Sequence, residues 1–106
     1  MPSPNYNEIM ETLRIIKQAI SKNSSIQQQE VFIDTVFYGP CTNRTQTAER
    51  CRITYQSLVS IIHNFVAHKI FSAEVKEKSI IKWDINLKQM PDDVVIMIKE
   101  IRRKQK

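Results

Sequence analysis

Glycine is nearly absent from this sequence, with one residue among 106, and proline and cysteine are scarce at four and two. Tight hairpins draw on residues that accept positive φ, so this composition disfavours an all-β sandwich with many short turns and favours helix. It also excludes most phosphate-cradling loops, which need several glycines to bring the backbone against the ligand. Cys41 and Cys51 are too few for a disulfide framework, and a reducing compartment would keep both as thiols. No apolar run approaches the ~20 residues of a membrane span, and the start, Met1-Pro2-Ser3-Pro4-Asn5, lacks the basic and then apolar pattern of a secretory signal. The expectation is a cytoplasmic protein. No carboxylate pair or Ser/His/Asp arrangement stands out, so no enzyme and no cofactor are expected.

The residues that are present describe an ordinary folded domain. Apolar residues make up 42% and charged residues 25%, too apolar for a disordered chain, and the length suits one core without metals or disulfides. The formal net charge of +5 suits an anionic partner such as nucleic acid, although a solvated basic face would produce the same balance.

Along the chain, Asn5 and Glu8 open a helix whose stripe is Ile9, Leu13, Ile16 and Ile20, ending near Lys22. Ser25 and Gln28 form a second capping box, followed by Val31, Phe32, Thr35 and Val36. Gly39 and Pro40 stop that helix near Tyr38, the glycine taking a left-handed closing conformation. Asn43 or Arg44 leads into a short amphipathic segment through Cys51, and Thr54 caps a longer one from Tyr55 to about Ile70. From Ser79 to Leu87 the period changes to two: Ile81, Trp83, Ile85 and Leu87 alternate with polar residues, as in a strand with one buried face. Pro91, Asp92 and Asp93 suit the start of a final helix and Arg102, Arg103 and Lys104 its end, where they complement its dipole.

The informative stretch is Arg44 to His63. Two helices crossing steeply must nearly touch, and Ala48 is the small residue the first would present to the second. Ile53 plugs the turn, Thr54 caps the second helix, and Leu58, Ile61, Ile62 and Phe65 anchor it with Cys51. The opposite stripe is left outward, which makes Thr54, Tyr55, Gln56, Val59, Ser60 and His63 candidates for reading bases in a major groove. Arg44, Arg50, Arg52 and Lys69 flank the unit as candidate phosphate contacts. Arg52 holds a turn position usually given to glycine, so a differently shaped turn is one expectation.

The segment from Val31 to Phe65, with Thr47-Ala48, Ile53-Thr54 and Leu58, resembles the helix-turn-helix of small plasmid and fimbrial regulators of the KorA (TrfB) and PapB type. The apolar strand Ile80 to Leu87 and the Pro-started helix ending in Arg102-Arg103-Lys104 are similar to the dimerising end of KorA-type repressors. The resemblance implies a homodimeric repressor on operator DNA.

The fold expected is mainly α, about five helices with a helix-turn-helix and one C-terminal β-strand. Residues 1–71 would form the DNA-binding region and 72–106 a dimerisation region of the same domain. A lone strand leaves its backbone groups unpaired, so its partner would be a second copy. Ile81, Trp83, Ile85, Leu87, Val94, Ile98 and Ile101 would line that interface. An alternative makes Ser72 to Leu87 a hairpin wing behind the recognition helix. The lack of Gly or Asn near Lys76-Glu77-Lys78 weighs against it. A different class of reading is a small basic helical adaptor for a protein partner.

Zinc is disfavoured. Cys41 and Cys51 stand ten positions apart rather than two to four, and His63 and His68 point about 140° apart on a helix. Phe32, Phe37, Phe65, Phe71 and Trp83 fall on buried stripes and read as core rather than as stacking platforms for bases.

Overall fold

The computed structural model describes residues 25–104, and the helix expected over 5–22 lies outside them. Four α-helices and one hairpin make up the described region: α1 (Ile26–Tyr38), α2 (Arg44–Cys51), α3 (Tyr55–Ala67), β1 (Phe71–Lys76), β2 (Ser79–Ile85) and α4 (Asp92–Lys104), with a 3-10 turn at Leu87–Gln89 before α4.

The three central helices start where side-chain oxygens replace missing backbone acceptors. Gln28 N–H donates to Ser25 Oγ at 3.1 Å and Ser25 N–H to Gln28 Oε1 at 2.8 Å, a complete capping box. Asn43 Oδ1 accepts from Gln46 N–H, and Thr54 Oγ1 from Ser57 N–H. Both α2 and α3 then end in a Schellman closure. Arg52, at φ 57° and ψ 43°, donates to Glu49 O while Ile53 N–H reaches back to Ala48 O. Lys69, at φ 62°, donates to Val66 O while Ile70 N–H reaches Phe65 O at 2.8 Å. This closure ends α3 at Ala67, three residues before the end expected from sequence. The turn at Arg52 has the left-handed form that glycine usually supplies, at a cost of roughly 1 kcal/mol.

Gly39 behaves differently from expectation. It is extended, at φ −66° and ψ 153°, with a cis bond to Pro40, so no left-handed turn requires it. Space does: a methyl group there would overlap Asp84 Oδ1, Arg102 Nη2 and the carbonyl of Thr35.

The expected lone strand is one arm of a two-stranded antiparallel hairpin. The alternative of a hairpin over Ser72 to Leu87 is the one adopted: Phe71–Lys76 is its first strand, and Glu77 and Lys78 in the turn both take positive φ, 51° and 67°. That is the geometry of a two-residue hairpin loop, achieved without Gly or Asn. A bulge explains the misread alternation. Glu74 pairs with Lys82 and Val75 with Ile80, leaving Ile81 without a partner, so the strand reverses its facing there. Ile80 turns into the core and Ile81 is 40% exposed. Leu87 lies beyond the strand, in the 3-10 turn. On the other edge of β2, Cys41 N–H donates to Trp83 O at 2.8 Å and Trp83 N–H to Cys41 O at 3.0 Å. Helix, bridge, helix-turn-helix, hairpin and closing helix together form a winged-helix arrangement.

The hairpin is held by aromatic packing. Phe65 of α3 and Phe71 of β1 meet edge to face at 4.9 Å, and Phe32 of α1 closes the trio at 6.4 and 6.3 Å. Around it lie Val31, Val36, Leu58, Ile62, Trp83, Val94 and Ile98, all essentially inaccessible.

The expected dimer surface must be corrected accordingly. Trp83, Ile85, Val94, Ile98 and Ile101 are at most 3% exposed, and Leu87 is half-buried against the same core. They are spent inside the chain. Within the chain, β1 pairs along one edge of this strand and Cys41 bridges Trp83 on the other.

Arg102 was expected to complement its own helix. Instead Nε donates to Val36 O at 3.0 Å and Nη2 to Thr35 O at 2.9 Å, closing the last turn of α1. The same guanidinium pairs with Asp84 Oδ1 at 2.6 Å and Oδ2 at 3.3 Å. Three elements meet on one side chain. Replacing Arg102 with Met keeps the stem's packing but removes the donor to Val36 O and the charged partner of Asp84, leaving Thr35 O only Gly39 N–H and the carboxylate only Ile85 N–H, so it is expected to cost about 2–4 kcal/mol in urea unfolding. Arg103→Met, on the exposed side of the same turn, should stay within roughly 0.5 kcal/mol.

Candidate nucleic-acid interface

Ala48 and Cys51 of α2 are buried between α1 and α3, where the helix-turn-helix requires small side chains. Leu58, Ile61, Ile62 and Phe65 of α3 face inward as expected. The opposite stripe is thereby fixed outward: Tyr55, Gln56, Ser60 and His63 are exposed and Val59 is half-buried. Among the described residues the side chains of Gln56, Ser60 and His63 have no hydrogen-bonding partner. They are exposed hydrogen-bonding groups aligned at three- and four-residue spacing. Ser25, Gln27 and Gln28, from the cap and first turn of α1, flank Gln56, Ser57 and Ser60 across a shallow groove.

Two of the expected site residues are used otherwise. Thr54 Oγ1 accepts from Ser57 N–H at 3.1 Å and donates to Ser57 Oγ at 2.9 Å, so its hydroxyl serves the cap and is not free for a base. Arg50 forms a two-pronged pair with Asp34 of α1, Nε to Oδ2 at 2.7 Å and Nη2 to Oδ1 at 3.0 Å, and Nη2 also reaches Thr47 Oγ1 at 3.1 Å. Its guanidinium lies over the Tyr38 ring, 4.2 Å from the centroid. Asp34 is only 7% exposed. The hydrogen bonds to this carboxylate hold Arg50 above its ordinary pKa, against the opposing effect of burial. This pair fixes α2 against α1 from behind the interface, which leaves Arg50 a poor phosphate ligand.

Two of the other expected cations are open. Arg52 and Lys69 are exposed, and their side chains make no hydrogen bond or ion pair among the described residues. Arg44, at the start of α2, lies over the Tyr55 ring at 5.5 Å, which ties the first turns of the two helices together at the same surface. The alternative reading of a hairpin wing over Ser72 to Leu87 named no cation at its tip as a candidate contact. Lys76 and Lys78 are exposed there beside Val75, itself 60% exposed. The signal was a charged Lys-Glu-Lys step between two alternating runs, hidden by the lack of a glycine.

Neither cysteine belongs to the site. Burial pushes the Cys41 thiol up to about 11 and Cys51 to about 12, and the nearby Asp34 carboxylate adds to both shifts. Cys51 Sγ rests on the carbonyl of Glu30 at 3.9 Å.

No family model matches this chain, and no curated protein matches it in sequence. Among solved structures it is similar to a point mutant of Lactococcus lactis ZitR, at 13% identity and a TM-score of 0.48, over 98% of this chain and 78% of that one. The KorA-type resemblance has no counterpart among these matches, and the intramolecular hairpin departs from the lone strand it implied. No helix among the described residues is long and apolar enough to cross a membrane.

Two outcomes follow from the buried groups. Arg50→Lys should lose about 1–2 kcal/mol in urea unfolding, since an ammonium cannot make the two-pronged contact, and should leave the salt dependence of any DNA binding unchanged. The thiols favour their neutral form in the folded state, so they contribute stability below about pH 9 that is lost as pH rises toward 11 and 12. At pH 8, alkylation of the folded protein by iodoacetamide should be at least ~100-fold slower than in urea, followed by mass spectrometry.

Proposed function

We propose that this protein is a sequence-specific regulator that binds double-stranded DNA with α3 in the major groove. The observation that carries the reading is the exposed polar stripe of Gln56, Ser60 and His63, without a side-chain partner among the described residues, on a helix whose other side is locked into a helix-turn-helix core. Gln56 suits adenine, Ser60 either a donor or an acceptor, and Val59 and the Tyr55 ring the thymine methyl. Arg44, Arg52 and Lys69 stand where phosphate oxygens would pass. The net charge of +5 supports a polyanionic partner.

The mode of action is occupancy of an operator, as in a repressor, without chemistry. A homodimer on a palindromic site remains part of the proposal, but its contact would have to use surface other than the buried set Trp83, Ile85, Val94, Ile98 and Ile101. Ile96 on the outer face of α4, 58% exposed, is available for it.

The test is site selection from a random duplex pool, followed by gel shift on the selected and on unrelated DNA. Gln56→Ala should cost about 1–3 kcal/mol on the selected site and little on unrelated duplex. Equal losses on both would remove Gln56 from the reading positions, and failure to enrich any sequence would refute the proposal.

A further inference from the structure

The described residues include four that take a left-handed backbone without being glycine: Arg52, Lys69, Glu77 and Lys78. The chain's one glycine is not at any of them and has negative φ. Such positions are ordinarily filled by Gly, Asn or Asp, because any other side chain adds strain. Three of the four here are cations, all exposed and without a side-chain partner among the described residues.

Their placement follows one element. Arg52 lies two residues before the Thr54 cap of α3, and Lys69 two residues past its end at Ala67, so the two bracket a helix of about 20 Å. Lys78 sits at the tip of the hairpin, whose base is fixed to the C-terminal half of α3 through the Phe65–Phe71 contact at 4.9 Å. Duplex DNA lying along α3 carries a negative charge every ~1.7 Å of its axis, and its backbones pass on both sides of a helix seated in the groove. Strain at a turn is tolerated where the side chain held there has work to do.

We infer that Arg52, Lys69 and Lys78 are phosphate contacts kept at turn positions where glycine would give a more stable protein. The assignment rests on the DNA-binding reading above and extends it to the hairpin tip. Glu77 shares the tip turn with Lys78 and carries the opposite charge, so it provides an internal control with the same strain.

The experiment uses the full chain in three forms: wild type, the triple variant Arg52→Gly, Lys69→Gly, Lys78→Gly, and the matching triple Gln variant, with Glu77→Gly alongside. Thermal unfolding and fluorescence anisotropy on a short unrelated duplex are measured from about 20 to 200 mM NaCl, because each lost phosphate contact lowers the salt slope by about 0.9. The Gly variant should unfold a few degrees higher and lose about 2–3 from the slope. The Gln variant should lose the same slope without the thermal gain. Glu77→Gly should gain stability with no loss of slope. A Gly variant whose slope stays within about 0.5 of wild type, or whose unfolding temperature falls, overturns the assignment. A wild type that binds no duplex at the lowest salt overturns the DNA reading itself and this assignment with it, and that outcome is visible before any variant is compared.

Discussion

The described fold depends on how α1 is closed at its C-terminal end. A buried helix end leaves carbonyls that must find donors, and here the donor arrives from the far end of the chain. The guanidinium of Arg102 takes the Thr35 and Val36 carbonyls and the Asp84 carboxylate at once. Helix α1 touches α2, α3, α4 and β2, so fixing its end fixes the element the others pack around. The single glycine lies where a methyl group would enter this latch. The apolar core supplies most of the driving force but has no direction of its own; the latch supplies a register for α4 and β2 against α1.

A second polar lock joins α1 to α2. Asp34, one residue before Thr35, holds Arg50 of α2 in a two-pronged contact roofed by Tyr38. The two locks have the same construction, a nearly or partly buried carboxylate facing an arginine with further hydrogen bonds to satisfy it, and this makes such a group tolerable away from water. Between them they hold α1 and α2 still while α3 is turned by the Arg52 closure to present its polar stripe. Arg50 and Asp34 are spent on each other, whereas Gln56, Ser60 and His63 are exposed with no partner among the described residues.

Most local events were legible in the sequence because their causes are local. Ser25 with Gln28 and Thr54 cap the helices where sequence placed them, and Asn43 is the one of the two residues Asn43 and Arg44 that caps α2, since a cap needs only a side chain two or three positions from the N–H it satisfies. The inward stripe of α3 and the buried Ala48 and Cys51 follow from 3.6-residue periodicity alone. The hairpin was partly hidden because the sequence offered no glycine at its turn, and the bulge at Ile81 reversed the alternation midway.

The sequence by itself determined that the chain is helical around a helix-turn-helix, which side chains of α3 face the core, and that it carries excess positive charge. Only the tertiary structure decided where each long side chain ends. Arg50, Arg52 and Arg102 look alike as letters, yet one locks α2 to α1, one is left in solvent at a strained turn, and one closes a helix it does not belong to. A guanidinium reaches several ångströms from its backbone and goes to whatever acceptor packing leaves unsatisfied. Its role is therefore set by residues 16, 18 and 66 positions distant, beyond the reach of any local pattern.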